Sequence, residues 1–191
     1  MNVILASASP RRKELLERIG LEFIIRTAPH DETMDPGKDP AEEVRRVSAL
    51  KAGAVKALCA QEDVIIAADT VVVLDGAVMG KPASEEEAFS MLWSLSGKEH
   101  QVITGLSVVQ GEKMESVSVT TTLRFRPLSE EEIRAYTATK EPMDKAGAYG
   151  IQGMASMFVE SLCGDYYNVM GLPVCTLTVI LRKFGVKLLG C

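Results

Sequence analysis

An apolar stretch with the sequence IIAADTVVV, residues 65–73, carries one acidic residue, Asp69, in its middle. The β-branched residues on both sides predict a long strand, and Asp75–Gly76 directly after it predicts a hairpin turn. A carboxylate buried in a strand is costly unless it is paired. Asp69 therefore either marks an end or bulge of the strand, or is a metal ligand, a base or a member of a buried ion pair.

The segment ASASPRRKELLERIG predicts a short helix from Pro10 to Ile19, with Ser9 as the N-cap and Gly20 as the C′ residue. Arg11 and Arg12 lie in its first turn, where the helix dipole already places positive charge and acidic residues are favoured. One interpretation is an exposed helix start whose arginines extend into water. The other is an anion site, in which backbone N–H groups and guanidinium groups bind a phosphate.

Strand-like and helix-like segments alternate along the chain, and both hairpins and crossovers are predicted. This combination favours a mixed α/β sheet over a purely parallel one. Further strands are predicted at residues 2–6, 23–27, 100–110 and 115–126, the last two joined through Gly111 as an antiparallel pair. Further helices are predicted from Pro40 to about Ala60, after capping boxes formed by Ser84 with Glu87 and Ser129 with Glu132, and from Pro173 to Phe184–Gly185. The helix beginning at Pro40 has a predicted apolar face made of Val44, Val47, Leu50, Ala54 and Leu58.

Composition limits the function classes. The net charge is −5 with a pI of about 5.2, and aromatic residues make up 5%. These values disfavour a nucleic-acid binder, including an RNA-binding module. No apolar run reaches the length of a membrane span, and the N-terminus does not resemble a signal peptide. There are four cysteines: Cys59, Cys163, Cys175 and Cys191. They lack zinc-ligand spacing and are interpreted as reduced thiols of a cytoplasmic protein.

Only two histidines are present, so carboxylates, lysines and arginines are the better candidates for chemistry. Glu32 lies in a loop, Lys51 in a helix, and Lys81 between Gly80 and Pro82. Each is individually typical of a solvated surface residue. Together they could also assemble around one anion and one metal ion.

The segment DKAGAYGIQG, residues 144–153, contains three glycines and so suggests a close backbone approach. It matches neither a P-loop nor a dinucleotide-binding fingerprint. Gln152 offers a hydrogen-bond donor and an acceptor in one plane, which suits the edge of a nucleobase. A tight loop with a surface glutamine is the simpler alternative.

Seven segments in this order resemble the Maf family of nucleoside triphosphate pyrophosphatases: ASASPRRKELL, DET, AADTVV, GKP, ITG, DKAGAYGIQG and GDYYNVMGLP. They extend over nearly the whole chain, to about residue 173. The ordered set is specific although no single segment is. DKAGAYGIQG is further similar to the subgroup that acts on dTTP and UTP. The subgroup that acts on 7-methyl-GTP has a different segment there, with a glutamate near the glutamine position.

The resemblance implies one Maf-like domain over residues 1–191. Its expected fold is α/β, a mixed twisted sheet with flanking helices, with two lobes around a cleft, and is related to the inosine triphosphate pyrophosphatases. It also implies a nucleoside triphosphate substrate, a divalent cation such as Mg²⁺ or Mn²⁺, and a cytoplasmic homodimer. Charge and hydropathy predict that nucleic acid and membrane are not partners.

The resemblance also implies roles for individual residues. Asp69 matches the family's proton acceptor. The positions tied to substrate choice are Arg12, Thr70 and Gln152. The polar residues that line the same site are Glu32, Lys51 and Lys81. On charge alone, the phosphate-binding residues are expected to be Arg12, Lys51 and Lys81, and the metal ligands Glu32 and Asp69.

The expected reaction is hydrolysis of dTTP and UTP to the monophosphate and pyrophosphate, with Asp69 deprotonating the attacking water. Two alternatives remain: a pyrophosphatase for 7-methyl-GTP or another modified nucleotide, and a non-catalytic nucleotide sensor that regulates septum formation. A sensor would need the basic groups but not Asp69 with its metal.

Overall fold

The computed structural model describes residues 1–189. Its strands are β1 (Val3–Leu5), β2 (Ile24–Ile25), β3 (Val64–Leu74), β4 (Ala77–Met79), β5 (Glu99–Gln110), β6 (Lys113–Phe125) and β7 (Val159–Cys163). They form one mixed sheet in the order β2-β1-β3-β5-β6-β7, with β4 paired to β3. The predicted α/β class with a mixed sheet is confirmed.

The helices alternate with these strands, and three short 3₁₀ segments precede β7. The α-helices are α1 (Pro10–Arg18), α2 (Pro40–Lys56), α3 (Glu85–Leu95), α4 (Glu130–Ala138), α5 (Tyr166–Met170) and α6 (Val174–Lys183). The 3₁₀ segments are Glu141–Asp144, Ala146–Ala148 and Met154–Phe158. Within residues 1–189, no helix is both long and apolar enough to span a membrane.

The chain divides into two compact units. The first unit comprises Met1–Asp69, Thr104–Val119 and the chain from Gly171 onward, and the second comprises Thr70–Ile103 and Thr120–Met170. Strands β3, β5 and β6 contribute residues to both units. The cleft expected from the sequence stays a prediction, as does the extent of the domain.

The first unit is built on parallel strands. Leu5 of β1 is paired in parallel with Ile25 of β2 on one side and with Ile66 of β3 on the other. Helix α2 packs closely here, because a Cβ atom at Gly105 of β5 would collide with the backbone at Val44. The apolar core between these elements consists of Ile4, Ala6, Ala52, Val55, Ile65, Ala67 and Val109.

The predicted apolar face of α2 is partly wrong. Val44 and Val47 are buried as expected, but the side chains of Leu50 and Leu58 are 42% and 57% exposed. The buried face continues instead through Ser48, Lys51, Ala52 and Val55. These positions keep the helical spacing of three and four residues. The buried face of α2 therefore includes two polar residues, Ser48 and Lys51, and is less apolar than the face predicted from the sequence. The reason lies in the contacts of Lys51, described below.

Two turn and cap predictions in the second unit are confirmed. The hairpin between β3 and β4 turns at Asp75 and Gly76, whose φ angles of 51° and 82° suit a tight two-residue loop. At the start of α4, the Ser129 side chain accepts from the Glu132 N–H while the Glu132 side chain accepts from the Ser129 N–H. Both features are local, which is why the sequence pattern predicts them.

The second predicted capping box, at the start of α3, is only half formed. The Ser84 side chain accepts from the Glu87 N–H at 3.1 Å as expected. The Glu87 carboxylate accepts from the Ala83 N–H at 2.7 Å, so the predicted reciprocal bond to Ser84 is wrong. The donor N–H is thus that of Ala83 instead of Ser84, one residue earlier in the chain, and the helix still begins after Ser84.

Candidate active site

Polar residues of the first unit follow the carboxyl ends of its three parallel strands. Arg12 comes after β1, Glu32 comes after β2, and Asp69 lies in β3 three positions beyond the last residue paired with β1. Parallel strands present their carboxyl ends at the same edge of a sheet, where ligands bind in open α/β folds. The topology therefore brings these three sequence-predicted residues to one edge.

Asp69 is a member of a shielded ion pair. Its Oδ1 atom accepts a hydrogen bond of 2.6 Å from Lys51 Nζ, and the two side chains are 14% and 10% exposed. This contact explains why an acid can stand inside an apolar strand and why a lysine can occupy the buried face of α2. The structure rules out an end of the strand at Asp69, because β3 continues from Val64 to Leu74, and it shows Asp69 in an ion pair. The roles of Asp69 as a base and as a metal ligand stay predictions.

Glu32 joins the same lysine. Its Oε1 atom lies 3.1 Å from Lys51 Nζ and 2.8 Å from His30 Nε2. Burial raises the pKa of Glu32, but the hydrogen bond and charge of Lys51, together with His30, outweigh burial and hold that pKa below its ordinary value. The carboxylate is therefore ionised at neutral pH although it lies beside Asp69.

Arg12 is held by the backbone rather than left in water. Its Nε atom donates to the Gly171 carbonyl at 2.8 Å, and its Nη1 atom donates to Ser7 Oγ at 3.1 Å. Burial lowers the pKa of Arg12, and the charges of Asp69 and Glu32 act in the opposite direction. The interpretation of Arg12 as a solvated arginine is therefore wrong.

Ser9 is the N-cap of α1, as predicted, but its side chain makes no capping hydrogen bond.

The second unit contains the other three predicted residues. Thr70, directly after Asp69 in β3, is half-buried, whereas Lys81 is exposed. The Gly80 carbonyl next to Lys81 accepts a hydrogen bond of 3.0 Å from the Gly147 N–H. Gly147 has a φ of 66°, and a Cβ atom there would collide with the side chain of Val72. The GKP and DKAGAYGIQG segments are thus fixed to each other.

Gln152 lies at the tip of that glycine-rich loop. The loop closes through a 3.0 Å hydrogen bond from the Gly153 N–H to the Gly150 carbonyl. Ile151 is buried and anchors the tip, while the Gln152 side chain is exposed. In the described part of the chain, the Gln152 amide makes no hydrogen bond to another residue.

The donor set suits a divalent cation that is completed by substrate and water. Asp69 and Glu32 each place one oxygen on Lys51 and retain a second oxygen. Carboxylate oxygens are the ligands that Mg²⁺ and Mn²⁺ prefer, and Mg²⁺ is usually held by one or two carboxylates together with phosphate oxygens. No group of three His, Cys, Asp or Glu residues that could hold a metal occurs in the described part of the chain.

Three contacts at this site were missed by the sequence reasoning. His30 binds Glu32 from two positions earlier in the same loop, and that short spacing is a signal that could have been used. Ser7 and the carbonyl of Gly171 hold Arg12. The partner at Gly171 is a backbone atom from a distant segment and leaves no signal in the sequence.

Cys59, Cys163 and Cys175 are free thiols, and Cys191 lies outside the described residues.

The α/β fold of this chain is similar to that of a protein of known structure. The solved structure of the Staphylococcus aureus Ham1 protein matches with a TM-score of 0.54 over 96% of this chain and 99% of that chain. The sequence identity is 14%, so this similarity concerns the fold.

The family is defined by sequence. The profile of the family described as Maf-like protein matches residues 2–184, and the chain belongs to that family. A protein of Symbiobacterium thermophilum named dTTP/UTP pyrophosphatase is 48% identical over 96% of this chain and 94% of its own length. A protein of the same name from Pelotomaculum thermopropionicum is 48% identical over 98% of both chains.

Proposed function

We propose that this protein hydrolyses dTTP and UTP between the α- and β-phosphates, releasing the nucleoside monophosphate and pyrophosphate. The observation that carries the proposal is the shielded Asp69–Lys51 pair at the carboxyl edge of three parallel strands, with Glu32 and Arg12 beside it. Relatives with the name dTTP/UTP pyrophosphatase, matched over nearly their whole length, support this choice of substrate.

Asp69 is the base in this proposal. Lys51 holds its Oδ1 atom, which fixes the orientation of the carboxylate and leaves Oδ2 to accept the proton of the attacking water. A triphosphate carries about four negative charges, which repel an incoming hydroxide. Lys51, Lys81 and Arg12 offset this charge. Arg12 does so with its guanidinium group, which the Gly171 carbonyl and Ser7 Oγ hold in place.

A divalent cation completes the proposed site. Glu32 and Asp69 would hold Mg²⁺ or Mn²⁺ through their carboxylate oxygens. When bound, the cation neutralises phosphate charge and polarises the reacting phosphoryl group.

The pyrimidine is assigned to Gln152, with Thr70 and Arg12 as the other residues tied to substrate choice. Uracil and thymine present a ring N–H donor beside a carbonyl acceptor, and an amide can answer both with two hydrogen bonds. The 5-methyl group of thymine lies away from that edge, so one site accepts both bases. We further propose that the protein acts as a homodimer in the cytoplasm.

The deciding experiment incubates the purified protein with dTTP, UTP, CTP, ATP, GTP and 7-methyl-GTP in the presence of Mg²⁺ or Mn²⁺ and measures pyrophosphate. We expect dTTP and UTP to be hydrolysed well ahead of the others. A preference for 7-methyl-GTP would assign the protein to the other subgroup. Tight nucleotide binding without pyrophosphate release would indicate a sensor, and equal rates on all nucleotides would remove base recognition from the proposal.

A further inference from the structure

Glu141 supports both ends of the loop that carries Gln152. Its Oε1 atom accepts a hydrogen bond of 3.0 Å from the Tyr136 hydroxyl, and its Oε2 atom accepts one of 3.2 Å from the Met154 N–H. The Tyr136 oxygen in turn accepts from the Gly150 N–H at 3.2 Å. One carboxylate therefore controls the backbone on both sides of Gln152.

The glycines of the loop are explained by the same contact. A Cβ atom at Gly153 would overlap the carboxylate of Glu141, closer than any real Cβ atom approaches. A Cβ atom at Gly150 would lie 2.6 Å from Lys145 Cε. The side chains of Glu141 and Lys145 thus occupy the space beside the two glycines that flank Ile151 and Gln152. The loop backbone rests directly on them.

The base of this support is itself fixed. Lys145 Nζ donates to the Glu141 main-chain carbonyl at 2.5 Å and to Asp144 Oδ1 at 2.6 Å. Tyr136 is buried in α4, and its ring packs edge-on against Phe158 at 5.2 Å between centroids. The Glu141 carboxylate therefore extends from a surface that is itself held by hydrogen bonds and ring packing.

Among residues 1–189, Gln152 has no comparable anchor of its own. Its side chain is exposed, while Ile151 beside it is buried. The direction in which the amide extends is consequently set by the backbone that Glu141 holds. An amide discriminates between nucleobases only if its donor and acceptor are presented in a fixed place, because a displaced amide loses both hydrogen bonds together.

We propose that Glu141 is a positioning residue for substrate selection: its carboxylate holds the Gly150–Met154 loop so that Gln152 meets the pyrimidine edge. The inference rests on the proposed assignment of the base to Gln152. It assigns Glu141 no contact with substrate. Its role is to preserve the preference for dTTP and UTP over CTP, not to speed the reaction at the phosphates.

The test uses Glu141→Gln, which keeps the size of the side chain. An amide cannot accept from both the Tyr136 hydroxyl and the Met154 N–H, because one of its two terminal atoms is a donor. We expect the ratio of kcat/KM for dTTP to that for CTP to fall about tenfold, mainly through KM for dTTP. Glu131→Gln, the same change at an exposed position of α4, should leave the ratio unchanged.

A double-mutant cycle with Gln152→Ala separates positioning from general damage. If Glu141 acts through Gln152, Glu141→Gln should change dTTP hydrolysis less than about twofold in the Gln152→Ala background. An equal loss in both backgrounds would overturn the inference. If Gln152→Ala lowers the dTTP to CTP ratio and Glu141→Gln does not, the role of Glu141 is refuted while the assignment of the base to Gln152 stands. If Gln152→Ala leaves the ratio unchanged, the assignment of the base to Gln152 fails with it.

A measurement without substrate completes the test. In Glu141→Gln, amide hydrogen exchange at Met154 and Gly150 should accelerate about tenfold, while exchange in α4 stays as in the parent protein. Should Glu141→Gln not fold, Tyr136→Phe removes only the hydroxyl between Glu141 and Gly150. The same fall in the dTTP to CTP ratio is expected, and normal selectivity with normal exchange at Gly150 would refute the inference.

Discussion

Lys51 Nζ lies 2.6 Å from Asp69 Oδ1 and 3.1 Å from Glu32 Oε1, so one ammonium group holds two carboxylates beside each other. Two neighbouring carboxylates repel each other, and the shared lysine offsets that repulsion while it orients both. The arrangement stores two negative charges at an edge where a cation and a triphosphate can bind. It also explains why a lysine belongs to the buried face of α2.

Asp69→Asn should abolish turnover and leave the fold intact. The change is nearly isosteric but removes the charge, and a missing general base costs about 10²-fold or more in kcat. Asp75→Asn is the matched control, because it makes the same change at the exposed hairpin turn of the same strand. Steady-state kinetics with dTTP decide the matter. Near-parental activity of Asp69→Asn with metal present would refute the assignment of the base.

Arg12→Ala should impair both substrate turnover and stability. The variant loses phosphate charge stabilisation, and the buried Gly171 carbonyl loses its donor, which costs on the order of 1–2 kcal/mol. Arg12→Lys keeps the charge but cannot reproduce the fork, so it separates the two contributions. Thermal unfolding and kcat/KM are the measurements, with exposed Lys13→Ala as the control. Unchanged kinetics with a lower melting temperature would assign Arg12 a purely structural role.

Catalysis should require an added divalent cation. Glu32 and Asp69 supply hard oxygen ligands, and within residues 1–189 no set of three residues forms a metal cage on its own. Dialysis against EDTA should therefore abolish pyrophosphate release, and Mg²⁺ or Mn²⁺ should restore it. Full activity in the chelated sample would contradict the prediction. Blocking the free thiols at Cys59, Cys163 and Cys175 should not mimic chelation.

Gln152→Glu should weaken hydrolysis of dTTP and UTP relative to other nucleotides. An ionised carboxylate accepts hydrogen bonds but cannot donate one to a pyrimidine carbonyl, and an unmet polar group rejects a substrate strongly. Roughly tenfold in kcat/KM is expected from one lost hydrogen bond. Gln101→Glu, at an exposed position of β5, is the control for charge alone. An unchanged substrate profile would remove Gln152 from base recognition.

Protein stability should fall between pH 6.5 and pH 4 because of His100. Burial lowers the pKa of His100 to about 4, and its Nε2 atom pairs with the Tyr149 hydroxyl at 2.8 Å. In the unfolded chain His100 binds its proton near pH 6.5, whereas in the folded protein it stays neutral there. The contribution of neutral, buried His100 to the free energy of unfolding is therefore fully present above pH 6.5. It is lost as the pH falls towards 4, by roughly 3 kcal/mol in total.

The measurement is urea unfolding at a series of pH values. His100→Gln cannot titrate in this window, so its free energy of unfolding should change less between pH 6.5 and pH 4 than that of the parent protein. Two carboxylates with pKa values of about 2, Glu43 and Glu132, lose their contribution below about pH 4.5 and so act mainly at the acidic end. Identical pH slopes in the two proteins would show that His100 is not the cause.

Sequence reasoning succeeded where the physical cause is local. The helix start at Pro10, the turn at Asp75–Gly76 and the capping box at Ser129 each depend on residues within a few positions of one another. The prediction of an apolar strand through Asp69 was also correct, since the hydrophobic pattern of a strand is visible in its own sequence without knowledge of its neighbours in the sheet. Conversely, the strand predicted at residues 23–27 is paired only at Ile24–Ile25, because pairing length depends on the neighbouring strand.

Tertiary packing decided what no local pattern contains. Lys51 and Asp69 are 18 residues apart, and their contact exists because α2 lies against β3. That contact places a lysine on the buried face of α2, since a paired charge is tolerated inside whereas an unpaired one is not. Leu50 is exposed on the same helix, and Leu58 lies beyond the end of the helix at Lys56. In the same way, Gly153 is required by a carboxylate at Glu141 that only the folded chain brings against it.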